Sequence, residues 1–386
     1  MRELPVWNRP SRADATGHHL GHEISRVPVS RRGYLDWLRG VAVLIMVAAH
    51  LFDAWVRVID RSQHPYQWAM VVGGFSAPLF LFLAGVAMAL GAGSRLRKGL
   101  TASETAAIAR RRGWQILGLA FLFRLQSFII SGGPFPETLL KVDILNVMGL
   151  SMVLAAVLWG IGSRNVWRGA ALASVALIFA MVTPLVRSAP LVASLPYPFL
   201  WYFKAVAGSG AFTLFPWVGF LLLGVVIGLW LDRTRTEDDE RRVIGAMAIA
   251  GPAIGVVGYL STALPAIYSG TTFWTGSPTY FIVRLGVLIT AIPIAYAWNA
   301  SFRGWSPLRD FGIASLFVYW IHVEMVYGVV SFWLHKALTF EQAWLSYIAF
   351  SLFLYGLVRL KDRFVRSPVS PPPPSLAPLS KHLKLG

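Results

Sequence analysis

Seven ionisable residues fall inside long apolar stretches of this chain: His50, Asp53, Arg124, Asp143, Arg284, His322 and Glu324. A charge in a hydrocarbon setting costs several kcal/mol unless it is paired, so a retained one points to a polar site. The residue types suit proton transfer and charge stabilisation. Histidine titrates near neutral pH and can act as a base. A carboxylate can orient that base, and a guanidinium can stabilise a developing oxyanion. The competing explanation is a set of interhelical ion pairs that only hold structure.

The elements that must position these groups are apolar runs of about twenty residues, the length that crosses a bilayer as a helix. They recur through a 386-residue chain that is 56% hydrophobic and 14% charged, with mean hydropathy +0.58. A soluble domain carries about 25% charged residues. The runs are continuous rather than alternating, which selects helices over a barrel. The fold class expected is all-α, a polytopic transmembrane bundle of about ten helices (ten or eleven). The spans are read at 36–56, 70–91, 113–131, 142–161, 167–187, 211–231, 243–261, 280–298, 310–334 and 343–360.

Charge placement orients them. With the N-terminus inside, 27 of the 35 Lys and Arg fall on inner segments, 6 on outer ones, and Arg124 and Arg284 within spans. This alternation predicts both termini on the cytoplasmic side. It also accounts for the net charge of +17 without a nucleic-acid partner. The chain has no cysteine, which excludes disulfides, thiolate catalysis and cysteine-ligated metal. Residues 1–32 read as a flexible basic segment without the apolar stretch of a signal peptide. Residues 33–366 read as the membrane domain and 367–386 as a Pro-rich disordered tail. His18, His19 and His22 cluster loosely in the N-terminal segment and are discounted as a metal site; no metal is expected. No internal repeat is visible. The outer loop 188–210 reads equally as a re-entrant lid or an interfacial aromatic belt.

Depth along the spans groups the seven residues. His50 lies about 20 Å from the inner end of its helix at 1.5 Å per residue. Asp53 follows on the same face, with Arg57 at i+4 as an expected ion-pair partner. Tyr319 precedes His322 at i−3. All seven fall in the central-to-outer half, which predicts a polar cavity open to the outside. A second cluster, Arg31, Arg32, Asp36 and Arg39, marks the inner end of the first span. Asp36 reads as a helix cap, or the arginines read as an anion site for a phosphate-bearing cytosolic donor.

Five ordered segments give the chain a resemblance. They are RRGYLDWLRGVAVLIMVAAH (Arg31–His50), FSAPLFLFLAGVAM (Phe75–Met88), KVDILNVMGLSM (Lys141–Met152), FTLFPWVGFLLLGVVIG (Phe212–Gly228) and FGIASLFVYWIHVEMVYG (Phe311–Gly328). Together they resemble the heparan-alpha-glucosaminide N-acetyltransferase-like family of membrane acyltransferases, in a bacterial-type branch without an established substrate. The resemblance implies transfer of an acetyl or other acyl group from cytosolic acetyl-CoA or acyl-CoA to a sugar amine on the far side. It implies a far-side active-site histidine before a Phe-Pro-like motif. His64, fourteen residues before Pro78, takes that place, and His322 matches a second histidine in the closing motif. The first span departs from the animal pattern, which has Asn near His50, so His50 competes with His64 for the catalytic role.

Acetyl transfer needs a base, an oxyanion donor and a grip on the CoA phosphates. His64 is the first candidate base and His50 the second. Asp53 or Asp143 would orient it, and Arg124 or His322 would stabilise the oxyanion. Arg31, Arg32 and Arg39, with Asp36 beside them, would meet the CoA phosphates. Gly73, Gly74, Gly85, Gly149 and Gly224 would permit close helix approach around the route. The expected partners are membrane lipid, acyl-CoA and a sugar, glycolipid or small-molecule acceptor, with a homodimer also considered. The expected location is a bacterial inner membrane. A transporter or flippase with a polar path is the alternative function, and a non-catalytic scaffold a third.

Overall fold

A 23-residue apolar helix, α1 (Gly33–Trp55), runs through the middle of the bundle. At 1.5 Å per residue it spans about 35 Å, enough to cross a bilayer. The remaining elements are arranged around it in a computed structural model that describes residues 32–161, 165–206, 212–268, 276–302 and 304–365. They are α2 (His64–Gly73), α3 (Ser76–Arg97), α4 (Ala102–Ser131), α5 (Ile144–Ile161), α6 (Asn165–Ser188) and α7 (Trp217–Arg233). Then follow α8 (Glu237–Leu260), α9 (Pro278–Ser301), α10 (Pro307–Ile313), α11 (Ser315–Tyr327) and α12 (Phe340–Val365). The described residues contain no strand. Arg31, the expected N-terminal segment and the expected Pro-rich tail lie outside the described residues, apart from Arg32.

Among the described residues, seven helical stretches are long and apolar enough to cross a membrane: Gly33–Trp55, His64–Arg97, Ala102–Ser131, Asn165–Ser188, Glu237–Ala263, Pro278–Ser301 and Phe340–Val365. Three of the ten expected spans are shorter. These are α5, α7 with 17 residues, and the pair α10 and α11, which breaks at Ala314. The second span also breaks, between Gly73 and Ser76, so α2 and α3 meet at a turn.

Small residues let the helices approach. A side-chain carbon at Gly85 of α3 would meet the Leu221 carbonyl of α7, and one at Gly224 of α7 would meet the Phe82 carbonyl of α3. The same arrangement holds α1 to α10, where Gly40 faces the Leu308 carbonyl and Gly312 faces the Asp36 carbonyl. Backbone contact of this kind supplies packing where lipid removes the usual hydrophobic drive between helices.

Polar ties secure the end of the bundle where α1 begins. Arg32 pairs with Glu240 at 2.6 Å and donates to the Leu231 carbonyl and Thr234 Oγ1 at 2.8 and 2.7 Å. Tyr34 donates to the same Glu240 at 2.7 Å. Arg97 pairs with Asp232 at 2.7 Å, which links α3 to α7. At the opposite end, Arg57 N and Leu338 N bond across to the Leu338 and Trp55 carbonyls, tying the end of α1 to the link before α12. In the described part of the link after α6, Trp201 is buried and the Tyr202 hydroxyl accepts from Asn146 at 3.3 Å.

Candidate functional site

α1 and α11 cross so that two histidines meet. His50 Nδ1 lies 2.9 Å from His322 Nε2, and the rings stack with centroids 5.1 Å apart and planes 6° apart. His322 is fully buried, and its Nδ1 lies 2.8 Å from the Val318 carbonyl one turn back on α11. That carbonyl can only accept, so Nδ1 of His322 carries a proton. In the neutral ring Nε2 is then an acceptor, so His50 Nδ1 must donate to it. The remaining nitrogen, His50 Nε2, keeps its lone pair and has no hydrogen-bond partner among the described residues. Three groups in series therefore fix one tautomer of one imidazole and leave its basic nitrogen unpartnered among the described residues.

His50 borders two cavities. One, of about 180 Å³, is mostly apolar and is lined by Met46, Phe80, Ile116, Leu145 and Met148, with Arg112 of α4 also at its wall. The other, of about 520 Å³, is richer in polar groups and includes Asp53, Arg187, Tyr280, Arg284 and Tyr327. His50, Ser76, Ala77 and Phe212 line both. The two spaces are thus neighbours, and among the described residues His50 is the one titratable residue common to both linings. Asp53 lies in the larger one, one turn beyond His50. It accepts from the Tyr327 hydroxyl at 3.0 Å and faces Arg61 at 3.8 Å. Tyr327 also sets its ring edge against His50 at 5.6 Å.

Asp53 does not pair with Arg57 as expected from i+4 spacing. The helix ends at Trp55 and Val56 is extended, which carries Arg57 off the α1 face and onto Asp60 at 2.9 Å. Arg124 and Asp143 form a pair at 3.4 Å and line neither cavity, although Asp143 adjoins Ile144, Leu145 and Tyr319 of the smaller one. Asp143 also caps α5, accepting from the Leu145 and Asn146 amides at 2.9 and 3.2 Å. Beside them, Lys141 lies in the link before α5. Burial, then the Arg124 charge, holds its ammonium below the usual lysine range. His64 opens α2 at an exposed position and touches neither cavity. Among the expected phosphate-binding residues, Arg32 is tied to Glu240, and Arg39 pairs with Asp36 at 3.1 Å. Arg112, Arg187 and Tyr327 were not read as site residues. Arg112 belongs to an Arg-Arg-Arg run that the positive-inside rule explains by itself. Tyr327 comes to Asp53 only through the crossing of α1 with α11.

Comparison with known proteins decides the family. Residues 31–261 match the family model described as heparan-alpha-glucosaminide N-acetyltransferase, catalytic. The chain belongs to that family. A comparison with curated proteins gives no match. The match makes the chain an integral membrane protein of a membrane acetyltransferase family. It covers α1 to α8 and so contains His50 and His64. His322 lies beyond its end, so the partner that fixes His50 comes from the part of the bundle the family model does not cover. Among the described residues no group of three or more His, Asp or Glu side chains forms a metal centre.

Proposed function

We propose that this family member is an acyltransferase that takes an acyl group, acetyl in the simplest case, from an acyl-CoA donor and passes it to an amine or hydroxyl acceptor across the membrane. The observation that carries the reading is the position of His50, which lines both cavities and whose Nε2 has no hydrogen-bond partner among the described residues. The smaller, apolar cavity suits the thioester end of the donor. Arg112, with Arg110 and Arg111 beside it, is exposed and would meet the CoA phosphates. The larger cavity would take the acceptor. An arrangement with both termini inside, which the charge pattern supports, would put the Arg110–Arg112 end on the cytoplasmic side of a bacterial inner membrane. The acceptor would then be a sugar, glycolipid or small molecule on the outer side.

In the proposed reaction His50 Nε2 takes the proton from the acceptor amine or hydroxyl as its nitrogen or oxygen attacks the thioester carbonyl. The C–S bond breaks as the new C–N or C–O bond forms, and His50 returns the proton to the departing thiolate. His322 and the Val318 carbonyl hold the ring in the tautomer that this requires and share the positive charge as it forms. General base catalysis of this kind contributes roughly 10²–10⁴-fold. The reading selects His50 over His64 as base, because His64 reaches neither cavity. Purified full-length protein should release thiol from acetyl-CoA when given membrane extract as acceptor, and His50→Ala should reduce the rate by about 10²-fold or more. The chain has no cysteine, so released CoA can be counted with a thiol reagent without background from the protein. Absence of acyl-CoA binding, with solute uptake instead, would favour the transporter reading.

A further inference from the structure

Arg284 sits in α9 with only 9% of its surface exposed. It makes no ion pair among the described residues, its Nε is buried without a hydrogen-bond partner, and its side-chain hydrogen bond is to the uncharged Tyr280 hydroxyl. The undescribed positions on either side of it in sequence, 269–275 and 303, contain no Asp or Glu. The guanidinium is instead held by aromatic faces, 4.1 Å from the Tyr280 ring centroid, 5.4 Å from Phe75 and 5.9 Å from Trp217. Gly74 leaves room for its Nη2, since a side-chain carbon there would lie 2.9 Å away. A membrane protein does not ordinarily keep a buried arginine without a carboxylate, and aromatic contact offsets only part of the desolvation cost.

The guanidinium lines the larger cavity that also holds His50. The one carboxylate among the described lining residues, Asp53, is held by Tyr327 and Arg61. The formal charge of the wall therefore stays positive, with Arg187 as a second cation. Gly73 packs on Ala49, the neighbour of His50, and Gly74 packs on Arg284. The cation and the imidazole are thus connected through two adjacent glycines on one wall.

We propose that the acceptor carries a phosphate or carboxylate that Arg284 grips, which turns the hydroxyl or amine to be acylated toward His50. This rests on the acyltransferase reading above and adds the substrate's charge. Arginine suits the role because its planar fork binds such oxyanions through two parallel hydrogen bonds, which a point-charged lysine cannot reproduce. The anion would supply the counter-charge that the protein withholds. The same chemistry belongs to a charged sugar and to an anionic lipid headgroup.

The test uses full-length protein in phosphatidylcholine nanodiscs, with glucosamine 6-phosphate and glucosamine as matched probes whose binding is followed by calorimetry. The phosphate-bearing probe should bind at least about tenfold more tightly than the neutral sugar. Arg284→Gln should abolish that preference, and Arg284→Lys should retain only part of it. A repeat with phosphatidylglycerol nanodiscs identifies the source. Competition by the lipid points to a headgroup, and unchanged probe binding points to a charged sugar. Equal binding of the two probes by the wild type overturns the proposal. So does a preference that survives in an Arg284→Gln protein with unchanged melting behaviour. If Arg284→Gln does not fold, the wild-type comparison and the Arg284→Lys variant still decide the matter. Acetyl-CoA binding by the wild type is measured alongside. Donor binding with no charge preference refutes only the anionic acceptor, whereas no donor binding refutes the acyltransferase reading itself.

Discussion

Replacing His322 with Phe tests the tautomer argument. The phenyl ring keeps the stacking volume against His50 but removes the acceptor that lies 2.9 Å from His50 Nδ1. Two consequences follow. The Nδ1–H is left without its acceptor, at a cost of about 1–3 kcal/mol for a buried donor. The imidazole is also freed to place its proton on Nε2, the nitrogen without a partner, which can then no longer act as a base. At 1.36 kcal/mol per tenfold, the same range of energy lowers kcat/KM by about 5- to 150-fold. His322→Gln is the control, because its side-chain oxygen can accept from His50 Nδ1 and should recover much of the loss. The assay is thiol release from acetyl-CoA by purified protein, with melting temperatures recorded for every variant. If His50 acts only through this pair, adding His322→Phe to His50→Ala should cost little beyond His50→Ala alone. A folded His322→Phe protein at the wild-type rate, or fully additive losses in the double variant, would refute the reasoning.

Four other outcomes follow from the geometry. His64→Ala should retain activity within about threefold, measured by the same thiol release, since an exposed residue outside both cavities contributes no proton transfer. Arg124→Ala should lower stability by about 3–5 kcal/mol, because it strands the buried Asp143, and Arg124→Ala combined with Asp143→Asn should recover part of this; thermal melting in detergent reads both. Gly85→Val and Gly224→Val should each lower stability by about 1–3 kcal/mol or prevent folding, by forcing α3 and α7 apart at backbone contact. Single cysteines at Ser62 and Lys98, both exposed, should label from opposite faces of intact vesicles, with Ser62 outside; labelling from one face would refute the proposed orientation.

Seven of the helical stretches were legible because their apolar runs are long enough to cross a bilayer, whereas α5, α7 and the α10–α11 pair are shorter. The breaks were less so. Ala314 between α10 and α11 carries no proline or glycine of its own to announce the kink, although Gly312 packs on α1 two residues earlier. Within the site, His50, Asp53, Arg284 and His322 stood out as costly groups in apolar surroundings. The partnership of His50 with His322 was not legible, since 272 residues separate them and only the crossing of α1 with α11 joins them. Asp143 and Arg124 stood out for the same electrostatic reason, yet the structure uses them on each other and on a helix cap. Sequence depth locates a buried charge along its helix but not around it, and the angular position decides whether the charge faces a cavity or another charge.

The most direct test of a transfer that passes His50 between two cavities is its sidedness. Protein reconstituted in vesicles, with orientation assigned by labelling at Ser62→Cys, would receive radiolabelled acetyl-CoA on one side only and acceptor extract on both. Acetylated product should form when the donor is on the Arg112 side, accumulate on the opposite side, and fall by about 10²-fold or more in His50→Ala. Equal transfer with donor on either side, or product that remains on the donor side in both wild type and His50→Ala, would contradict the account.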